Sequence, residues 1–243
     1  MRRHLPRLKK EADYDALFYD VAGTMPLEEC YDEHHTMTRR EDLKWRRKFL
    51  GFMAEQGCLV GTENGMAFYV PVADYFEGIG SISKALIEGV RVGVTPFETT
   101  PRYEAVNLGE NYRIPLFQLV FHDAVYCTFR WNFTPDRYAN KEMWKKHDLF
   151  VMMCGYMPIF VETDETLAER GQQLRKSAIA VTQWHEKIGM DELVDHRALT
   201  KDRKVQESRF SSGWAVVANF QDREYKLDSG ERIPPMGCVT RKW

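Results

Sequence analysis

Two carboxylates stand where short apolar runs end. Leu17-Phe18-Tyr19 stops at Asp20, ahead of a stretch broken by Gly23 and Pro26, and Leu59-Val60-Gly61-Thr62 stops at Glu63, ahead of Asn64-Gly65. A charge at the end of a strand-like run either caps the next turn or is the working end of the strand. In the second case the pair is equipped to hydrolyse a glycosidic bond. One carboxylate attacks the anomeric carbon or activates water, and the other protonates the leaving oxygen. Spacing alone leaves both readings open.

Alternating elements are needed to hold such residues. Residues 1–12 read as the tail of a basic helix leading into a strand over 16–21. Thr38-Arg39-Arg40-Glu41 fits a capping box, in which hydroxyl and carboxylate each satisfy a free backbone amide. Leu43, Trp45, Phe49, Leu50, Phe52 and Met53 follow at roughly helical spacing, and Gly57 marks the end. "CLVGTENG" is the second strand, and "IPLFQLVFHDAVYCTF", 114–129, reads as a third that passes through His122-Asp123. Helices are expected around Met143, Trp144, Leu149 and Phe150, and over 166–188. Residues 191–208 read as a charged connector. Residues 209–243 show period-two patches that predict three short antiparallel strands. There is no GxGxxG and no GxxxxGK[ST] phosphate loop, so an α/β barrel is favoured over a nucleotide-binding sheet. Three or four strands of eight are visible.

Composition narrows the partners. The 243 residues are 44% hydrophobic and 13% aromatic, enough for a substantial core. A net charge of −2 argues against nucleic acid or an anionic membrane as partner. No run approaches the roughly 18 apolar residues of a membrane span. The basic start "MRRHLPRLKK" lacks the apolar region of a secretory signal. Five cysteines, an odd number without CxxC, indicate free thiols, no zinc site and a reducing compartment, with the cytoplasm favoured.

Further polar residues are candidates for substrate contact. On a strand end, Asp123 would accept bonds from two adjacent hydroxyls and His122 would donate one; otherwise the two form an interior pair. Trp131 is either a platform for the C–H face of a sugar or a loop anchor. Asp74, Tyr75 and Glu77 follow the Glu63 strand, where they would line the same rim. "EECYDEHH" lacks the spacing of a metal motif and reads as a solvated loop, from which Tyr31 and His35 would reach the sugar. The basic face of Arg39, Arg40, Lys44, Arg46, Arg47 and Lys48 reads as solvated and paired with Glu41 and Asp42.

Three blocks carry a family resemblance: "LFYDVAGTMPLEECYD", "GCLVGTENGMAFYVPVADYFEG" and "IPLFQLVFHDAVYCTFRWN". They resemble bacterial glycoside hydrolases related to families 101 and 129, the α-N-acetylgalactosaminidases and their relatives. The resemblance covers roughly residues 14–190. It places the nucleophile of a D-V strand end on Asp20 and the general acid/base of an [ST]-E-x-G strand end on Glu63, and puts Pro115–Asp123 at the sugar pocket. It implies the C-terminal half of a (β/α)8 TIM-type barrel over 1–190, the connector 191–208, and a β-sandwich segment over 209–243. It also implies a retaining enzyme, without cofactor, that cleaves α-N-acetylgalactosaminides or α-galactosides. Glu63 would rest protonated, its pKa raised by Phe68 and Tyr69. A half barrel leaves an open strand edge, so self-association or a missing N-terminal half is expected to complete it. The alternative is a non-catalytic carbohydrate- or partner-binding half barrel. An aldolase or isomerase is disfavoured, because no lysine sits at a strand end.

Overall fold

The computed structural model describes residues 4–79, 98–129, 139–160 and 163–243. They fall into two units, Met1–Ser81 and Ile82–Trp243.

In the first unit, Pro6 opens α1 (Leu5–Ala12), and Lys9 and Lys10 sit in its last turn, where cations favour the carbonyl end of a helix. β1 (Ala16–Tyr19) follows. The capping box forms as the sequence predicts: Thr38 and Glu41 satisfy each other's backbone amides and start α2 (Arg39–Ala54). β2 (Leu59–Gly65), a 3-10 turn over Ala67–Val72 and β3 (Tyr75–Ile79) complete the unit. β2 lies between β1 and β3, and both pairings are parallel. Leu50 and Met53 of α2 and Val60 and Phe76 of the sheet are at most 2% exposed. Burial of each such side chain contributes about 1.5–3 kcal/mol. Asp74 sits at the start of β3; its carboxylate accepts the Val60 N–H (2.7 Å) and its own N–H donates to the Val60 carbonyl (2.7 Å).

In the second unit, α3 (Pro101–Asn107) precedes α4 (Gln118–Phe121) and β4 (Tyr126–Cys127). The run expected to be one strand over 114–129 is therefore a short helix, a turn and a two-residue strand. Its largely apolar character fits a buried helix as well as a strand, and the Leu119 N–H returns to the Pro115 carbonyl (2.9 Å). α5 (Lys141–Cys154) is capped by Asn140 and stops at Gly155, which takes φ +68°. An added Cβ at Gly155 would stand 2.2 Å from His122 Nε2. α6 (Asp164–Ile188) is capped by Thr163. The Trp184 indole donates to the Met152 carbonyl (2.8 Å), tying α6 to α5.

The chain ends in a four-stranded antiparallel sheet ordered β10-β7-β6-β5, made of β5 (Leu193–Ala198), β6 (Val205–Phe210), β7 (Trp214–Asn219) and β10 (Gly237–Lys242). Between β7 and β10 lies a small hairpin of β8 (Tyr225–Lys226) and β9 (Arg232–Ile233). Trp184 meets Phe210, and Phe150 meets Phe220, so α6 and α5 pack on this sheet. Residues 191–208, read from sequence as a connector, hold β5 and part of β6. Their charges hid the strands because those charges pair across them: Arg197 and Glu207 are direct register partners.

His196 of β5 faces Ser208, with Nδ1 3.0 Å from Oγ. Burial lowers its pKa to about 4. An unfolded histidine takes its proton near 6.5. The stability this contributes is thus complete above pH 6.5 and is lost as pH falls from there towards 4. Thermal unfolding of the second unit should show this window, and His196→Gln should remove it.

Candidate active site

The register of β1, β2 and β3 builds a floor and then a row of acids. Phe18, Gly61 and Tyr75 are register partners. The Phe18 and Tyr75 rings stack across Gly61, with centroids 6.1 Å apart and planes at 26°. Glycine leaves room for this stack, since a Cβ on residue 61 would lie 2.0 Å from the Tyr75 ring and displace it. Two residues further on, Glu63 and Glu77 are direct partners and share that face by strand alternation. The last β1 pair is Tyr19 with Thr62, and Asp20 and Glu63 are the residues that follow it on their two segments, towards the C-terminal end of the parallel strands. Glu63 is 9% exposed.

The turn carrying Asp20 is tightly held. Its Oδ1 accepts the Val21 N–H at 2.9 Å. Val21 then takes φ +69°, a costly conformation for a β-branched residue. The buried Thr62 hydroxyl donates to the Tyr19 carbonyl (2.8 Å) and accepts the Gly23 N–H (2.9 Å). Asn64 Nδ2 donates to Thr24 Oγ1 (3.1 Å), and the Tyr69 hydroxyl donates to the Ala22 carbonyl (3.3 Å).

Arg46 clamps the same turn, donating to the carbonyls of Ala22, Met25 and Pro26 while pairing with Asp42 at 2.8 Å. Burial alone would raise the Asp42 pKa; hydrogen bonds from Arg46 and from the Glu28 N–H reverse this and hold it below the usual range. Arg46 was expected on a solvated face, and Arg47 with it. Instead Arg46 reaches inward, and Arg47 donates to the Phe68 carbonyl. Alternating basic residues gave no sign of which would turn in.

Gly23 lies against β2 so closely that an added Cβ would stand 2.0 Å from the Glu63 carbonyl oxygen and 2.7 Å from that of Asn64. Backbone cannot yield as a side chain does. Gly23→Ala should therefore cost about 1–3 kcal/mol and loosen the Asp20 turn. The check is faster amide exchange at Gly23 and Thr24 together with a lower Tm.

A cleft of about 390 Å³ opens beside Asp20, bordered by Tyr19, Met25, Glu28, Trp45 and Phe49 among others, without Glu63. Tyr31 lies outside it, 85% exposed, with its hydroxyl donating to Glu29 at 2.6 Å; that bond raises its pKa. Asp74 belongs to the opposite, N-terminal end of the parallel strands, where it pins register. Of the three residues expected on that rim, Glu77 has the placement that Asp74 lacks.

In the second unit, His122 ends α4 and is 7% exposed. Its Nδ1 lies 2.6 Å from the Asp191 carbonyl and its Nε2 3.2 Å from that of Gly155. Both nitrogens face backbone carbonyls, and these rather than Asp123 are its neighbours. Asp123 is exposed in the following turn. Trp131 lies outside the described residues.

Residues 94–209 match the profile of the glycosyl hydrolases related to the GH101 family, GH129. Asp20 and Glu63 precede the matched stretch, whereas His122 and Asp123 fall within it. No curated protein matches the chain. Three solved structures of the α-N-acetylgalactosaminidase NagBb from Bifidobacterium bifidum are similar. The ligand-free form is 23% identical with a TM-score of 0.67, over 95% of this chain and 33% of that one. The GalNAc complex is 24% identical with a TM-score of 0.66, over 90% and 32%. A quadruple mutant is 22% identical with a TM-score of 0.64, over 97% and 33%. The chain thus spans about a third of the length of these enzymes and shares their fold over that third. GH129 relationship and mixed α/β fold agree with the resemblance read from the sequence.

Proposed function

We propose that this chain is the C-terminal half of a TIM-type barrel from a retaining α-glycosidase, acting on α-N-acetylgalactosaminides or α-galactosides. The observation that carries the proposal is the β1–β2 register, whose last pair, Tyr19 with Thr62, is followed directly by Asp20 on one side and Glu63 on the other, in a chain whose residues 94–209 match the GH129 profile. Asp20 attacks the anomeric carbon and forms a glycosyl-enzyme. Glu63 protonates the departing oxygen, then takes a proton from the incoming water. Thr62, Arg46 and Tyr69 hold the Asp20 turn, and the Phe18–Tyr75 stack forms the floor. Asp123 remains a candidate sugar contact.

The outer edge of β1 has no strand partner among the described residues, and Phe18, Tyr19 and Val21 are 38–45% exposed there. Strands from the rest of the barrel cover this edge in the working enzyme, supplied by the same polypeptide or by a second chain.

The test is hydrolysis of nitrophenyl α-N-acetylgalactosaminide, with sugar binding followed calorimetrically on the same sample. Turnover lost in Asp20→Asn supports the proposal. A second reading, a non-catalytic carbohydrate-binding half barrel, draws on the cleft that holds Asp20 without Glu63. It predicts binding without turnover, unchanged by Asp20→Asn.

A further inference from the structure

The loop after Asp20 carries chemistry that glycoside cleavage does not use. Cys30 and Met37 exchange two backbone hydrogen bonds, 2.8 and 2.9 Å, and the hairpin they close folds His35 back onto Cys30. Cys30 Sγ lies 3.1 Å from His35 Nδ1. The far ring nitrogen, Nε2, lies 3.8 Å from Asp32 Oδ2. Asp32 is itself held, since its other carboxylate oxygen accepts the His34 N–H (2.8 Å) and its carbonyl accepts the His35 N–H (3.1 Å). Nucleophile and base are therefore in contact, with the Asp32 carboxylate near enough to favour the charged imidazole, an arrangement that activates a thiol. The His35 side chain is 71% exposed and Cys30 is partly exposed, so a small reagent has access.

We propose that Cys30 is a reactive thiol, activated by His35 with the Asp32 carboxylate nearby, that exchanges with low-molecular-weight disulfides. The Cys30 proton passes to His35 Nδ1, and the thiolate attacks one sulfur of the disulfide. A new S–S bond forms to Cys30 as the old one breaks. The second sulfur leaves with the electron pair and takes up a proton, so the disulfide is the oxidant and the products are a mixed disulfide and a free thiol. The other four cysteines offer no such setting. Cys58, Cys127 and Cys154 are buried. Burial pushes the Cys154 thiol up to about 12 and Cys238 up to about 11. An adduct on Cys30 would stand beside Tyr31, on the loop that leads from Asp20 to α2. The inference is independent of the glycosidase reading.

The experiment treats the intact folded chain with 4,4′-dithiodipyridine and with oxidised glutathione, and maps adducts by peptide mass. One adduct per chain is expected, on Cys30, formed about tenfold faster than on free glutathione. Cys30→Ser should abolish it. His35→Gln, an exposed loop change checked for fold by circular dichroism, should bring the rate within about threefold of glutathione. First labelling at Cys238 or Cys58, or a Cys30 rate unchanged by His35→Gln, would overturn the proposal.

Discussion

Glu63→Gln is expected to slow cleavage of an α-N-acetylgalactosaminide with an alkyl leaving group by about 10²–10⁴-fold, while a nitrophenyl substrate loses far less. An alkoxide cannot depart without a proton, and glutamine has none to give. Nitrophenolate departs unaided, so only the second step, where water must be deprotonated, is affected. Asp20→Asn should remove turnover of both substrates, because no glycosyl-enzyme forms without the nucleophile. Relative kcat/KM values across three or four leaving groups give the measurement. Equal losses across the series would remove Glu63 from the acid role. Glu77, the direct register partner of Glu63, provides the control. If the leaving-group pattern follows Glu77→Gln instead, the proton donor is one strand further along.

The second large effect lies in the antiparallel sheet. The Glu207 side chain is 0% exposed and is bound by three guanidinium groups: Arg197 at 2.6 Å, Arg241 at 2.7 Å and Arg209 at 2.9 Å. Burial by itself would raise its pKa. Hydrogen bonds from Arg241 and Arg197, with the charges around it, more than reverse that and leave it below the usual carboxylate range. Glu207→Gln leaves three cations facing one another across β5, β6 and β10. Breaking a buried ion pair costs about 3–5 kcal/mol, and the partial exposure of the arginines places this case at the lower end. Urea unfolding of the second unit checks it; a loss under about 1 kcal/mol, the level of a surface pair, would show that the cluster is solvent-screened. The pH dependence has its own sign. The Glu207 contribution is complete above the unfolded carboxylate pKa and lost as pH falls through the lowered folded value. It therefore begins to fade lower than the His196 window, and wild type, Glu207→Gln and His196→Gln together separate the two.

Legibility in the sequence followed the range of the interaction concerned. The Thr38–Glu41 capping box spans three residues and was readable, as were α6 and the placement of Asp20 directly after a strand, whereas Glu63, expected at a strand end, lies inside β2. Contacts across the chain were not. Thr62 reaching Gly23, Arg46 reaching the carbonyls of the Asp20 turn, and Glu207 gathering Arg197 and Arg241 all join residues whose types look like solvent-facing polarity in one dimension. α4 was mistaken for strand because Phe117–Phe121 is apolar but for Gln118, and periodicity is silent in so short a run. Asp74 and Glu77 lie only three residues apart, yet Asp74 precedes β3 while Glu77 sits in its middle, paired with Glu63. Without its register there was no ground for preferring Glu77.

The corner at the end of α5 carries an evolutionary consequence. Gly155 is confined to glycine twice over, by its left-handed backbone and by the His122 ring, whose Nε2 would stand 2.2 Å from any β-carbon. The same ring stands against the Gly155 carbonyl, with Nε2 3.2 Å away, so shrinking it to make room would remove that contact as well. Neither position can drift alone. Across descendants of this sequence the two should be inherited as a unit, with exchange at residue 155 tolerated only in backgrounds where residue 122 has already changed.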